Sequence, residues 1–184
     1  MFIQTEATPN PATLKFLPGK VVLDDGTMDF RSAREAEASP LAEKLFTIDG
    51  VEGVFFGFDF VSVTKGEADW QHIKPAILGA IMDHFMSGAP VMKKAEGEAV
   101  GDEDFDEADA DTVATIKELL ETRVRPAVAQ DGGDITFHGF RDGVVFLRMR
   151  GACAGCPSST ATLKHGIENL LRHFLPDVQE VRSV

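Results

Sequence analysis

Nine acidic side chains and no basic one are packed into the run from Glu96 to Asp111. Charges of one sign at that density repel each other, and the segment has too little apolar surface to offset the entropy of ordering it. The run therefore reads as a solvated linker between two domains of the 184-residue chain. The expected organisation is a domain over residues 1–90, a flexible acidic linker over 91–110, and a second domain over 111–184. The net charge of −12 is misleading until it is located along the chain. Residues 1–95 carry −4, residues 96–111 carry −9, and residues 112–184 carry +1. Acidity confined to a short run disfavours a nucleic-acid role and says little about the folded parts. The run could also serve as a docking tail for a basic partner; the plain linker is the simpler reading.

The C-terminal half has the clearer periodicity. Val113, Ile116, Leu119, Leu120 and Val124 fall on one helical face behind a possible cap at Asp111, and Pro126 is expected to end that helix. Ile135 to Phe140 and Val144 to Arg150 read as two strands joined by Arg141-Asp142-Gly143. Val145, Leu147 and Met149 share one face of the second strand, and Phe146, Arg148 and Arg150 the other. A last helix runs from about Pro157 to Phe174, and Val178 to Val181 adds a strand after Pro176. In the N-terminal half, Phe2 to Ala7, Leu14 to Leu17 and Val21 to Leu23 read as short strands. Ser39-Pro40 opens a helix, Val51 to Phe56 and Phe60 to Thr64 form a hairpin, and Trp70 to Met86 is a helix that tolerates Pro75 near its start. Both halves are mixed and layered, so the fold class is α+β. Phe55, Phe56, Phe58 and Phe60 crowd one hairpin, where packing under a helix outweighs a role as exposed contact residues.

Both cysteines lie in Gly151-Ala152-Cys153-Ala154-Gly155-Cys156-Pro157. Two thiolates three positions apart can converge on one metal ion or on neighbouring irons of one cluster. Cluster and structural zinc sites built from sulfur alone use four thiolates, and this chain has two. A sulfur-only site therefore requires a second copy of the chain, with the cofactor on the seam of a symmetric dimer. Cys156 sits at the start of the last helix, where free backbone N–H groups and the helix dipole favour a thiolate. A dithiol oxidoreductase also uses C-x-x-C at a helix N-terminus, but there a βαβ unit frames the motif, whereas here a hairpin precedes it. A dimeric four-thiolate zinc adaptor stays open, since spacing does not separate zinc from iron. His165 and His173 lie eight apart and outside zinc-finger spacing; His72 and His84 lie about three turns apart on one helix. Asp131-Gly132-Gly133-Asp134 fits either a lining of the site or a simple turn. Arg148 and Arg150 read as solvent-facing strand residues, with compensation of a cluster's negative charge as the alternative. Two cysteines behind an N-terminus that has no basic, apolar leader suggest a reducing compartment, with cytoplasm as the default. No window is long and apolar enough for a transmembrane helix.

Arg125 to Ile135 (RPAVAQDGGDI), followed by Leu147 to Thr160 (LRMRGACAGCPSST), resembles the C-terminal domain of NifU-like (Nfu) iron–sulfur scaffold proteins. Gln4 to Phe16 (QTEATPNPATLKF), Ser39 to Ala42 and Gly53 to Gly57 resemble the N-terminal domain of the same family. The resemblance implies a scaffold or carrier that is not an enzyme and that holds a transient [4Fe-4S] cluster between two subunits. It implies Cys153 and Cys156 as the cluster and metal ligands, with no catalytic residue. Its implied partners are a second copy of the chain, apo iron–sulfur acceptor proteins and the upstream cluster-assembly machinery, with no nucleic acid and no membrane.

Overall fold

The computed structural model describes residues 1–93, 103–154 and 157–184, with backbone alone for 157–159. The chain divides into two units, Met1–Gly97 and Glu98–Val184. Each is α+β, with helices on one face of a sheet.

The first unit runs β1 (Gln4–Ala7), β2 (Thr13–Leu17), β3 (Met28–Phe30), α1 (Ala33–Ala36), α2 (Pro40–Phe46), β4 (Val51–Phe56), β5 (Val61–Lys65) and α3 (Trp70–Ser87). Its sheet has the order β1-β2-β5-β4-β3, antiparallel throughout. Alternation along the strands sends Phe16, Phe30, Val54, Phe56, Val61 and Val63 to one face. There they meet Leu41 and Leu45 of α2 and Ile73, Ile77 and Ile81 of α3. Ser39 caps α2 by accepting from the Ala42 amide at 3.1 Å, with Pro40 in the favoured first turn. Gly88 ends α3 in the left-handed conformation at φ 71°. Val21 to Leu23 is not a strand. Val22 and Leu23 are buried, but their amides donate to the Phe58 carbonyl instead of to a ladder, and Met28–Phe30 takes the edge place beside β4. Of the four clustered phenylalanines, Phe55, Phe56 and Phe60 are buried, while Phe58 at the turn is exposed.

The second unit runs β6 (Asp104–Phe105), a 3₁₀ turn (Glu107–Asp109), α4 (Ala110–Leu119), a π-helical turn (Leu120–Val124), α5 (Arg125–Gln130), β7 (Gly133–Arg141), β8 (Val144–Gly151), α6 (Pro157–Phe174) and β9 (Glu180–Ser183). The sheet order is β6-β7-β8-β9, with the central pair antiparallel and both outer pairs parallel. Its core joins Val113, Ile116, Leu120, Val124 and Val128 to Ile135, Val145, Leu147, Met149 and Val181, and to Ile167 and Leu171 of α6.

Two expectations change here. Pro126 does not end its helix: the chain stays helical to Gln130, because the wider π turn just before it shifts the carbonyl that the ring would meet. The acidic segment is also partly folded. Residues 94–102 lie outside the described residues, but Asp104 and Phe105 pair with Gly139 and Phe140. Phe105 sets its ring edge-on to Phe137 at 6.3 Å, Arg141 donates to Asp104 at 2.8 and 3.0 Å, and Lys117 pairs with Glu103. One aromatic anchor and two cations suffice to seat acidic residues that composition alone assigns to a linker. Gly139 makes room for that pairing, since a Cβ there would stand 2.7 Å from the Asp104 carbonyl oxygen.

Candidate cluster-binding loop

The core row of β8 (Val145, Leu147, Met149) points at the loop that follows, and Cys153 continues the same core. Gly151, at φ 62°, turns the chain out of the strand, and Gly132, at φ 78°, makes the matching turn between α5 and β7. The two turns are laced together. The Ala152 amide donates to the Gly132 carbonyl at 3.2 Å, and Ala154 donates back to Gly151 at 3.1 Å. From the first turn of α6, the Thr160 hydroxyl donates to the Cys153 carbonyl at 3.2 Å. Asp131-Gly132-Gly133-Asp134 is therefore both a turn and the floor of the loop. Gly133 has no alternative at its position: a Cβ would lie 2.6 Å from Cys153 Sγ, 2.8 Å from the Arg150 oxygen and 3.0 Å from the Cys153 nitrogen.

A buried ion pair holds that floor. Asp134 is 3% exposed. Its carboxylate accepts from Arg125 Nε at 2.8 Å, from Arg125 Nη2 at 2.9 Å, and from the Ile135 amide at 2.8 Å. Arg125 also bonds Glu121 one turn back on its helix. The hydrogen bond to Asp134 raises the guanidinium's pKa against the opposing effect of burial. The pair was missed in the sequence because the partners are nine residues apart across a turn, at no helical or strand spacing. An arginine late in a helix followed by an aspartate behind two glycines is the only trace it leaves.

Cys153 is 6% exposed. Burial above all, and then the charges of Asp131 and Asp134, push its thiol up to about 12, from an ordinary value of 9.0. In this conformation the sulfur is protonated and faces the core. Cys156 lies outside the described residues, so the convergence of the two sulfurs is not described. Arg148 is exposed and Arg150 half-buried. Among the described residues no group of three histidine, cysteine or acidic side chains is placed to hold a metal ion, and no helix is long and apolar enough to cross a membrane.

The chain is a two-unit α+β protein whose cysteine loop is laced to a Gly-Gly turn. The family model described as the scaffold protein Nfu/NifU N-terminal domain matches residues 3–88, and the NifU-like domain model matches residues 116–182. The whole chain is 53% identical over 186 aligned residues to a protein named NifU-like protein 4, mitochondrial, of Arabidopsis thaliana, covering 66% of it. It is 52% identical to the NFU1 iron-sulfur cluster scaffold homolog, mitochondrial, of Homo sapiens, covering 72% of it. The chain thus spans about two thirds of the length of such relatives. A solution structure of a NifU-like protein from Saccharomyces cerevisiae shares 28% identity over 52% of this chain and 87% of that one, at a TM-score of 0.47. The chain belongs to the NifU-like (Nfu) scaffold family. The expectation of a cytoplasmic protein is overturned: the relatives are named mitochondrial, which points to that setting instead. Reduced thiols report the redox poise of a compartment, and more than one compartment keeps thiols reduced.

Proposed function

We propose that this chain is an iron–sulfur cluster scaffold and carrier that binds a [4Fe-4S] cluster between two copies of itself, through Cys153 and Cys156 of each, and delivers it to apo-proteins. The observation that carries the reading is the thiol inventory: two cysteines in all, both in one loop, in a family whose members are named iron–sulfur cluster scaffolds. The division of labour follows from the same inventory. The cysteine-free first unit, against whose core Val91 and Met92 still pack, serves contacts with assembly partners, the acidic stretch from Glu96 onward joins the units, and the C-terminal unit carries the cluster. The state of Cys153 supports cargo handling over thiol chemistry. A buried, protonated sulfur is a poor attacking nucleophile, which weighs against a dithiol oxidoreductase. It is still a competent ligand, because the charge of the incoming iron replaces the proton. Loading then requires the loop to turn the sulfur outward and release that proton. A site that must open to load can open again to unload.

Anaerobic reconstitution tests this. About two irons per chain are expected, in a dimer with a four-iron Mössbauer signature, because four thiolates hold one such cluster. Cys153→Ser and Cys156→Ser should each abolish stable binding. A monomer carrying a complete four-iron cluster would sink the shared site. Delivery is read separately, as recovery of an apo-enzyme's activity, which an added iron chelator should slow only slightly. Complete suppression by the chelator would mean that the cluster falls apart and is rebuilt.

A further inference from the structure

The sheet of the second unit buries one face and leaves the other without a covering layer among the described residues. Val145, Leu147, Met149 and Val181 go to the core with all three helices. By alternation Val144, Phe146, Arg148 and Arg150 of β8, and Glu180 and Arg182 of β9, go to the opposite face. The register sets Thr136 beside Arg148, and Phe146 beside Arg182. This face is apolar in part, since Val144 and Phe146 are only half-buried, and its charges are mixed: the register also puts Asp134 beside Arg150, and Asp104 and Arg141 at the far edge, with Asp134 bonded by Arg125 and Asp104 by Arg141. Glu180 is already engaged by Arg182 at 3.0 and 3.1 Å and by Lys164 at 3.9 Å. Arg148 is exposed and has no acidic partner among the described residues. The face also leads to the cysteine loop: Arg150 is the next-to-last residue of β8, and Arg148 stands about 7 Å further back along the same side.

Resting on the carrier reading above, we propose that this outer face is the docking surface for the acceptor, and that it recognises an apo-protein whose cysteine site is bordered by acidic side chains. Ligand exchange requires the acceptor's thiolates to come within bonding distance of the cluster, so the contact surface has to adjoin the loop. With the acids of the face already engaged, the exposed Arg148 beside an apolar strand is the charge left to attract an acidic partner, steer its approach and set its register. A four-strand face with one half-buried aromatic makes a small interface of the transient kind, which suits a hand-off.

The probe is the apo form of a small acidic ferredoxin with four cysteines, used with the full-length chain. In the loaded dimer, Arg148→Glu should cut the second-order transfer rate about tenfold at low salt and flatten its salt dependence. Iron content and the rate at saturating acceptor should not change. Arg148→Lys should stay within about twofold of wild type, since steering needs charge more than guanidinium geometry. Arg34→Glu is the control: it makes the same change in net charge on an exposed helix of the other unit and should have no effect beyond about twofold. Equilibrium binding of the apo-ferredoxin to the cluster-free chain should weaken in the same order. If Arg148→Glu matches Arg34→Glu in both rate and binding, the docking face is wrong, whatever becomes of delivery. If binding depends on Arg148 but wild type transfers no cluster, the delivery reading falls and the docking face stands. Absence of both binding and transfer overturns both.

Discussion

The two units solve the same architectural problem and then treat their buried polar groups differently. Each lays helices on one face of a sheet, and each buries a group whose titration that burial shifts. In the first unit that group is His84 on α3, 2% exposed, with Nε2 unbonded among the described residues. No cysteine belongs to that unit. In the second unit it is Cys153, at the rim where the core runs into the loop. The first core can be disturbed without a chemical consequence. In the second, packing and chemistry share an atom, so any change in packing registers at the sulfur.

The sharpest way to test that contrast is to break one ion pair in each unit. Arg125→Leu leaves Asp134 charged and buried, and should destabilise the second unit by about 3–5 kcal/mol, the usual cost of an uncompensated internal charge. The counterpart is Lys15, which lies 3.7 Å from Glu6. Glu6 keeps 43% of its side chain in solvent and can rehydrate, so Lys15→Met should cost about 1 kcal/mol or less. The single tryptophan, Trp70, belongs to the first unit, where its Nε1 donates to the Pro11 carbonyl. Its fluorescence therefore follows that unit alone, while far-UV circular dichroism follows both. Equal losses from the two variants would erase the distinction.

Next in size is Gly133→Ala. Its Cβ meets backbone on two sides and Cys153 Sγ on the third, so the loop or strand has to shift, at about 1–3 kcal/mol. Cluster content should fall with it, because the displaced atom is the proposed ligand. Retention of full cluster content would show that the sulfur already lies elsewhere when loaded.

The two buried groups should also give opposite pH windows. Burial, and then the positive charge of Lys44, lower the His84 pKa from 6.5, with Asp83 as the nearby opposing charge. The folded state then binds fewer protons than the unfolded one, so stability present above about 6.5 is lost as pH falls below it. Cys153 works the other way. Its folded thiol titrates at about 12 against 9.0 ordinarily, so stability present below about 9 is lost as pH rises towards 12. Acid should move the tryptophan-reported transition first, and alkali the other. His84→Phe and Cys153→Ala should remove the respective effects; a variant that keeps its unit's pH sensitivity would reassign it. The smallest effect is expected at Gly79, mid-helix on α3 with nothing within 4 Å of an added Cβ. Gly79→Ala should stabilise the first unit by about 0.5–1 kcal/mol, the reverse in sign of the same substitution at Gly133.

Local periodicity carried most of the elements. The Val145, Leu147 and Met149 alternation and the Asp142-Gly143 turn state their geometry in neighbouring residues, and each lies where the pattern puts it. The failures came where a neighbour in space outweighed a neighbour in sequence. Phe105 draws an acidic dipeptide into the sheet against its local charge. A π turn carries a helix through Pro126. Val22 and Leu23 bond the tip of a hairpin and form no ladder.

By itself the sequence determined three things about this protein: the α+β character of its two halves, the confinement of both cysteines to one loop, and membership of a recognisable family. These are counts, spacings and motifs, which survive without coordinates. Only the tertiary structure decided that Arg125 reaches Asp134, that Gly133 lies under Cys153, and that burial pushes the Cys153 thiol's pKa up. Those properties depend on dielectric and on contacts across turns. Electrostatic energy scales with burial and distance in space, and no periodicity along the chain encodes either.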